Sequence, residues 1–182
     1  MTNKDLQAAI GYLYLAVKYP GSYTMVVDVN GNATIGLWDN TLGTQPTTDQ
    51  LAAASLTLQL SPAKLAQTAV LEAAYNKARY GAPVTITASS GTSVTFPTDS
   101  ATQFNVVGYR SAYDQTDWPA DGVPLQDATG AVPLLTCADM KTLAKTIAEQ
   151  SRLAWVTMMG LVTQVNAATT LDAVNAVNWP TA

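Results

Sequence analysis

The sequence predicts an α+β chain: two β-hairpins, several helices, and a long C-terminal helix followed by a short one. Three observations carry this. Two short stretches, 23–38 and 84–96, alternate apolar and polar residues on either side of a Gly-containing turn. Elsewhere apolar residues recur at intervals of three and four, the spacing of one helix face. Helices and strands follow one another as hairpins, not as single strands joined by crossovers, which argues against a doubly wound parallel sheet.

The first helix is expected from Asp5 to Val17, with Leu6, Ile10, Leu13 and Val17 on one side and Tyr19-Pro20-Gly21 as its stop. Tyr23–Val29 and Ala33–Trp38 then form a hairpin about Asn30-Gly31, a pair suited to a type I′ turn because both residues tolerate positive φ. Thr47 and Gln50 stand three apart as a capping box opening a helix with Leu51, Ala54 and Leu58 on one face. Ser61-Pro62 reads as the cap and first position of a separate helix, because proline suits a first turn. That helix should run to Tyr80 with Leu65, Ala69, Glu72 and Tyr75 at helical spacing, ended by Gly81-Ala82-Pro83.

A second hairpin pairs Val84–Ala88 with Thr92–Phe96 through Ser89-Ser90-Gly91, burying Val84, Ile86, Ala88, Val94 and Phe96. Thr98–Ala112 is expected to be helical with Phe104, Val107 and Tyr109 inward. Residues 113–130, with two prolines and four aspartates, read as an exposed loop leading to the C-terminal helices. The long helix should start at Thr136, capped with Asp139. Lys141, Lys145, Glu149 and Arg152 make a wet stripe. Met140, Ala144, Ile147, Ser151, Ala154, Met158, Leu161 and Val165 form a heptad-like seam, and Trp155, Met159 and Val162 add a further apolar line in the second half only. At 1.5 Å per residue the helix is about 45 Å long, more than so small a domain covers alone. Its far end is therefore expected to pack on another chain. We divide the sequence into an N-terminal helix and hairpin module (1–46), helices with the second hairpin (47–117) and a C-terminal helical domain (118–182).

Composition narrows the function. Of 182 residues 48% are hydrophobic, enough for a core, while only 12% are charged, about half the usual share. A surface so poor in charge is expected to be covered by a partner or a copy of itself. Nine Lys+Arg against thirteen Asp+Glu, with no basic run, argue against nucleic acid as a partner. There is no histidine, and Cys137 is the single cysteine. This removes an intramolecular disulfide, the usual zinc sites and the Ser-His and Cys-His nucleophile systems within one chain. Leu6–Val17 is flanked by Asp5 and interrupted by Gln7, unlike a signal peptide. Leu153–Leu171 has nearly the length of a membrane span but carries Thr157, Thr163, Gln164, Asn166, Thr169 and Thr170, so a buried or partner-facing helix fits better.

Each candidate for chemistry has a plainer reading beside it. Asp28-Val29-Asn30-Gly31-Asn32 begins like a calcium loop, but the chain turns directly into a strand instead of supplying further oxygen ligands. Asp114, Asp117, Asp121 and Asp127 are a carboxylate-rich set, read as solvated loop residues and not as a cation site or a glycosidase pair. Trp38, Trp118, Trp155 and Trp179 are read as core and interface aromatics before sugar-stacking platforms. Gly91, Gly108 and Gly122 form no phosphate-binding pattern, and Cys137 is read as a small filler beside a cap. No catalytic, cofactor or metal residue is assigned. For interaction the sequence singles out Trp155, Met158, Met159, Leu161, Val162 and Trp179.

From Trp118 to Trp179 the landmarks come in a recognisable order: Trp118, an acidic turn, a Val-Pro, one long helix, then Ala167, Ala168, Thr169, Thr170, Leu171, Ala173, Val174, Ala176 and Val177. This resembles a domain family of unknown biochemical role that recurs in bacteriophage tail-fibre and tail-fibre-assembly proteins. Trp38-Asp39, followed by Pro46 and a polar helix start, is similar to another small phage-tail module. The resemblance implies a phage-tail setting, made in the host bacterial cytoplasm and resident in the virion tail, with other tail or tail-fibre proteins as partners and no cofactor. A structural, non-enzymatic component at the baseplate or fibre attachment is the leading expectation. A transient tail-fibre assembly chaperone is the alternative, and a receptor- or glycan-binding accessory protein a further one.

Overall fold

The computed structural model describes residues 1–14, 22–113 and 116–181. Among them are five α-helices and three antiparallel two-stranded sheets, an α+β architecture. The chain forms two compact units. One comprises residues 1–67 and 165–177, the other 68–164 and 178–182. Both are discontinuous in sequence, because helices α2 (Thr48–Tyr80) and α4 (Cys137–Ala167) each contribute residues to both. No helix among the described residues is long and apolar enough to cross a membrane.

The first unit opens with α1 (Asn3–Leu13). A reciprocal cap starts it: the Thr2 hydroxyl accepts from the Asp5 amide while the Asp5 carboxylate accepts from Thr2. Leu6, Ala9 and Ile10 are buried, whereas Leu13, expected beside them, is exposed. Val17 and Tyr19-Pro20-Gly21 lie outside the described residues. Strands β1 (Tyr23–Val27) and β2 (Ala33–Trp38) pair antiparallel and pack Tyr23 and Ala33 with α1 and with Leu51 and Ala54 of α2. Trp38 closes this core, its indole N–H donating to the Gly43 carbonyl at 2.9 Å and its ring meeting Tyr14 edge-on at 5.1 Å.

The turn is not type I′. Asp28 and Asn32 pair across a three-residue loop, Gly31 N–H donates to the Asp28 carbonyl, and only Gly31 has positive φ, at 81°. The Asp28 carboxylate takes the Asn30 and Asn32 amides, which favours a type I turn ending in a left-handed glycine over two left-handed residues.

The cap at Thr47 and Gln50 forms in both directions. Helix α2, however, does not stop at Ser61: it is one helix of 33 residues with Pro62 inside it. Proline removes one helical hydrogen bond, at a cost of about 3 kcal/mol, but its fixed φ is helical and the Ala-, Leu- and Gln-rich flanks propagate on both sides. The buried stripe of its second half also differs from expectation. Leu71 is fully buried and Leu65 is exposed.

In the second unit, β3 (Val84–Thr87) and β4 (Ser93–Phe96) pair in register, with Val84, Ile86 and Phe96 buried. Their loop repeats the first one: Ala88 pairs with Thr92 and Gly91 adopts φ 84°. Helix α3 (Ser100–Ala112) is capped by Asp99, which accepts from the Thr102 amide at 2.7 Å. Its inward face is Thr102, Val106 and Tyr109. Phe104 and Val107, expected inside, are 77% and 63% exposed. Polar anchors set this register: the Gln103 amide donates to the Thr98 and Arg79 carbonyls, turning Phe104 outward.

Residues 113–130 are not simply a loop; Asp114 falls outside the described residues. Val123–Pro124 (β5) and Leu134–Leu135 (β6) make a third hairpin, extended by Leu125–Pro133 and Asp127–Ala131 hydrogen bonds. Its turn is the same construction again, with Gly130 at φ 90°. Val123, Leu125 and Leu135 enter the core with Phe96, Val106, Met140, Leu143 and Ile147. Trp118 covers it, donating to the Leu135 carbonyl at 3.1 Å.

Helix α4 begins at the expected cap and runs 31 residues; α5 (Leu171–Asn175) follows, capped by Thr170. Asp139 does more than cap. It accepts from Thr136 N and Oγ1, and from Ser89 N at 2.6 Å and Ser89 Oγ at 2.7 Å, so it ties the β3–β4 turn to the start of α4. Of the predicted seam, Met140, Ile147, Ala154, Met158 and Val165 are buried, joined by Leu143, which the heptad pattern had not included.

Candidate interaction surface

The surface is built on the second half of α4. Trp155, Met158, Met159 and Val162 stand at intervals of three, four and seven, which one helical face brings together. They share a groove of about 380 Å³ with Tyr75 and Glu72 of α2. Trp155 is placed by an edge-on contact with Tyr75, ring centroids 5.8 Å apart at 68°. Its other face is open. Trp155 is 52% exposed, Met159 45%, and the adjoining Leu153 and Val156 are 52% and 55%.

The other three expected residues behave differently. Met158 forms a wall of the groove but is only 6% exposed, so its side chain serves its own chain's packing. Leu161 is half-buried and does not line the groove. Trp179 is half-buried on another flank of α4, where with Pro180 it borders a separate groove of about 920 Å³ along Thr146, Gln150 and Leu153.

Leu153 and Val156 were missed, although a signal for Val156 was present. The stripe that carries Lys141, Lys145, Glu149 and Arg152 in the first half passes through Val156 and Met159 in the second. Where the wet stripe loses its charges, apolar side chains remain in contact with solvent. Arg152 and Glu149 pair at 2.6 Å at the point of change, and both are exposed, so this pair adds little stability.

The remaining candidates resolve into local structure. Asp28 is occupied by its own turn; the Asn32 backbone N–H, then the Asn32 side-chain amide and the Asn30 N–H, hold its carboxyl below the usual range. Asp127 repeats this, its carboxyl lowered chiefly by the Thr129 hydroxyl and then by the amides of its turn. Among the described residues no group of three or more His, Cys, Asp or Glu side chains stands close enough to share a metal ion. Trp38 and Trp118 are committed to backbone carbonyls and to packing, which leaves Trp155 as the tryptophan with a broad exposed face. Cys137 is half-buried in the first turn of α4. Comparison of the chain with protein-family models, curated proteins and solved structures finds no match.

Proposed function

We propose that this chain is a non-enzymatic structural component of a bacteriophage tail, at the baseplate or the tail-fibre attachment, and that it joins a neighbouring subunit through the second half of α4. The observation that carries the reading is the change along a single helix stripe from Lys141, Lys145 and Arg152 to Val156 and Met159, beside a half-open Trp155. The resemblance of residues 118–179 to a tail-fibre-associated family supplies the setting. Covering the open half of Trp155 alone removes about 125 Å² of apolar surface from water, or about 3 kcal/mol at ~25 cal/mol per Å². Val156 and Met159 enlarge the patch, and such a patch marks an interaction site more often than it marks chance.

Quantitative mass spectrometry of purified, salt-washed phage particles tests the reading. A fixed copy number matching the three- or six-fold symmetry of a tail is the expected result. Absence from particles, with recovery on fibre protein in infected-cell lysate, would replace it by the assembly-chaperone reading. The contact is tested by Trp155→Glu with Met159→Glu, because Met158 is buried and its replacement would report on folding instead. The double variant should keep its far-UV spectrum and lose incorporation into particles. Undiminished incorporation would exclude this surface.

A further inference from the structure

Strand β1 has one side unused. In an antiparallel pair, successive residues turn their N–H and C=O groups alternately toward the partner strand and away from it. The Asp28 N–H donates to the Asn32 carbonyl, so Asp28 faces the second strand of its hairpin. The Ala33 N–H instead leaves the hairpin and donates to the Met1 carbonyl at 2.9 Å, so Ala33 and its cross-strand partner Val27 both face outward. Two residues earlier, Met25 faces outward with Val27. The sheet ends there: it has two strands, and among the described residues nothing bonds to the N–H and C=O groups of Met25 and Val27 from outside. Other edges are closed. Met1 takes the far side of β2, and the Ala128 N–H donates to the Thr95 carbonyl on the far side of β4.

Edge strands are ordinarily kept from pairing by charge, by proline or by a bulge in the edge strand itself. Strand β1, Tyr23–Val27, carries neither charge nor proline, and the irregularity of its hairpin lies on β2, where Gly36 and Leu37 together oppose Thr24. Both faces of the edge are apolar. Val26 is 58% exposed on one face. On the other, Val27 is exposed beside Met25, which is half-buried against the core of the first unit.

We propose that two copies of this chain pair through β1, antiparallel about a two-fold axis at Val26, into one four-stranded sheet. Met25 then lies opposite the partner's Val27, and Val27 opposite the partner's Met25. Each of these pairs exchanges both of its N–H···O=C bonds, so all four outward groups of each strand are used. Val26 meets the partner's Val26 at the closely spaced position between them, with Cα atoms about 4.5 Å apart. On the other face Val27 comes beside the partner's Met25, which continues the apolar core across the axis. Charge favours a second copy as the occupant. Two uncharged strands meet, and Asp28, the first charge beyond β1, falls opposite the partner's Thr24 and not opposite its own counterpart. So short an edge covers less than the roughly 1,200 Å² of a stable interface, so the Kd is about 10–100 μM. The contact is separate from the α4 surface and does not depend on the phage-tail setting.

Sedimentation velocity of the full chain at about 5 and about 500 μM tests the pairing; the chain should be chiefly monomer at the first concentration and chiefly dimer at the second. Amide hydrogen exchange followed by mass spectrometry locates the contact. Residues 25–27 should exchange about threefold or more slowly at the higher concentration, and Val156 and Met159 should not change. Val26→Lys and Val26→Glu each set like charges face to face at the axis and should raise the Kd at least about tenfold, whereas an equimolar mixture of the two should associate again because Lys then faces Glu. A wild-type chain that stays monomeric at about 500 μM, protection confined to α4, a dimer that Val26→Lys leaves intact, or a mixture that fails to associate overturns the proposal. The exchange measurement uses the unaltered chain, so it stands even if a variant at Val26 fails to fold.

Discussion

Replacing Asp139 by alanine removes the acceptor of four hydrogen bonds, from Ser89 N, Ser89 Oγ, Thr136 N and Thr136 Oγ1. The two from Thr136 are a helix cap, worth about 1 kcal/mol. The two from Ser89 span fifty residues of sequence and reach a carboxylate that is only 5% exposed. Bonds to a charged group contribute about 1.5–3 kcal/mol each where water cannot replace them. Ser89 is itself exposed, so water takes over part of that loss, and about 1–2 kcal/mol remains for the pair. The total is about 2–3 kcal/mol, or about 5–10 °C in Tm for a chain of this size. Urea unfolding followed by far-UV circular dichroism measures it. The effect also depends on pH. Burial pushes the Asp139 carboxyl up, but the Ser89 and Thr136 hydroxyls and amides outweigh it and hold the carboxyl below its ordinary value. A carboxyl lowered in the folded state stabilises fully above its unfolded pKa of about 4 and loses that contribution as pH falls through the folded value. The difference between the wild type and Asp139→Asn, which cannot titrate, should therefore be largest near pH 7 and shrink from about pH 5 downward. A cost below about 0.5 kcal/mol for Asp139→Ala at pH 7, or a wild-type-to-Asn difference that ignores pH, would refute this account of the link.

Three further substitutions probe the backbone. Gly122 has φ 90°, and a Cβ there would lie 2.9 Å from the Leu135 carbonyl oxygen, whereas Gly91 at φ 84° has open space around the same position. Gly91→Ala should cost about 1 kcal/mol and Gly122→Ala about 3 kcal/mol or more, since the second adds a clash with fixed backbone to the conformational cost; equal costs in urea titrations would contradict the difference. Pro62→Ala should stabilise the chain by about 1–2 kcal/mol, by restoring a helical hydrogen bond against a modest gain in unfolded-state entropy. A destabilised Pro62→Ala variant would mean that the ring itself is packed.

What could be read from the sequence was local, and what could not was decided by partners distant in the chain. The caps at Thr47 and Thr136 were legible because donor and acceptor lie three residues apart. The seam of α4 was legible because one helix imposes its own spacing. Helix α3 was misjudged for the opposite reason. Phe104 and Val107 are more apolar than Thr102 and Gln103, yet Gln103 reaches carbonyls on two other segments, and those bonds choose the face. The third hairpin hid behind Pro124 and Pro133, which weaken a strand pattern, and behind a ladder only two residues long. Its turn, Asp127-Ala128-Thr129-Gly130, nevertheless repeats the spacing of Asp28-Val29-Asn30-Gly31, with a carboxylate three residues before a glycine of positive φ. Read as a turn, that repeat points to strands on either side of it, and Leu125 and Leu135 become core residues.

The candidate surface divides in the same way. Spacing alone groups Trp155 with Met159 and Val162, but spacing does not say which side of an apolar helix its own chain covers. Met158 differs from Met159 by one position and by 6% against 45% exposure. That difference comes from what packs against α4, of which α4 holds no record. A helix apolar on more than one face therefore marks an interface by its composition, while the residues free to make the contact are those its own fold leaves over. Here these are Leu153, Trp155, Val156 and Met159. Two of the four were legible as interaction residues, because an exposed apolar residue next to a seam looks like a broadening of the seam until the partner of the seam is known.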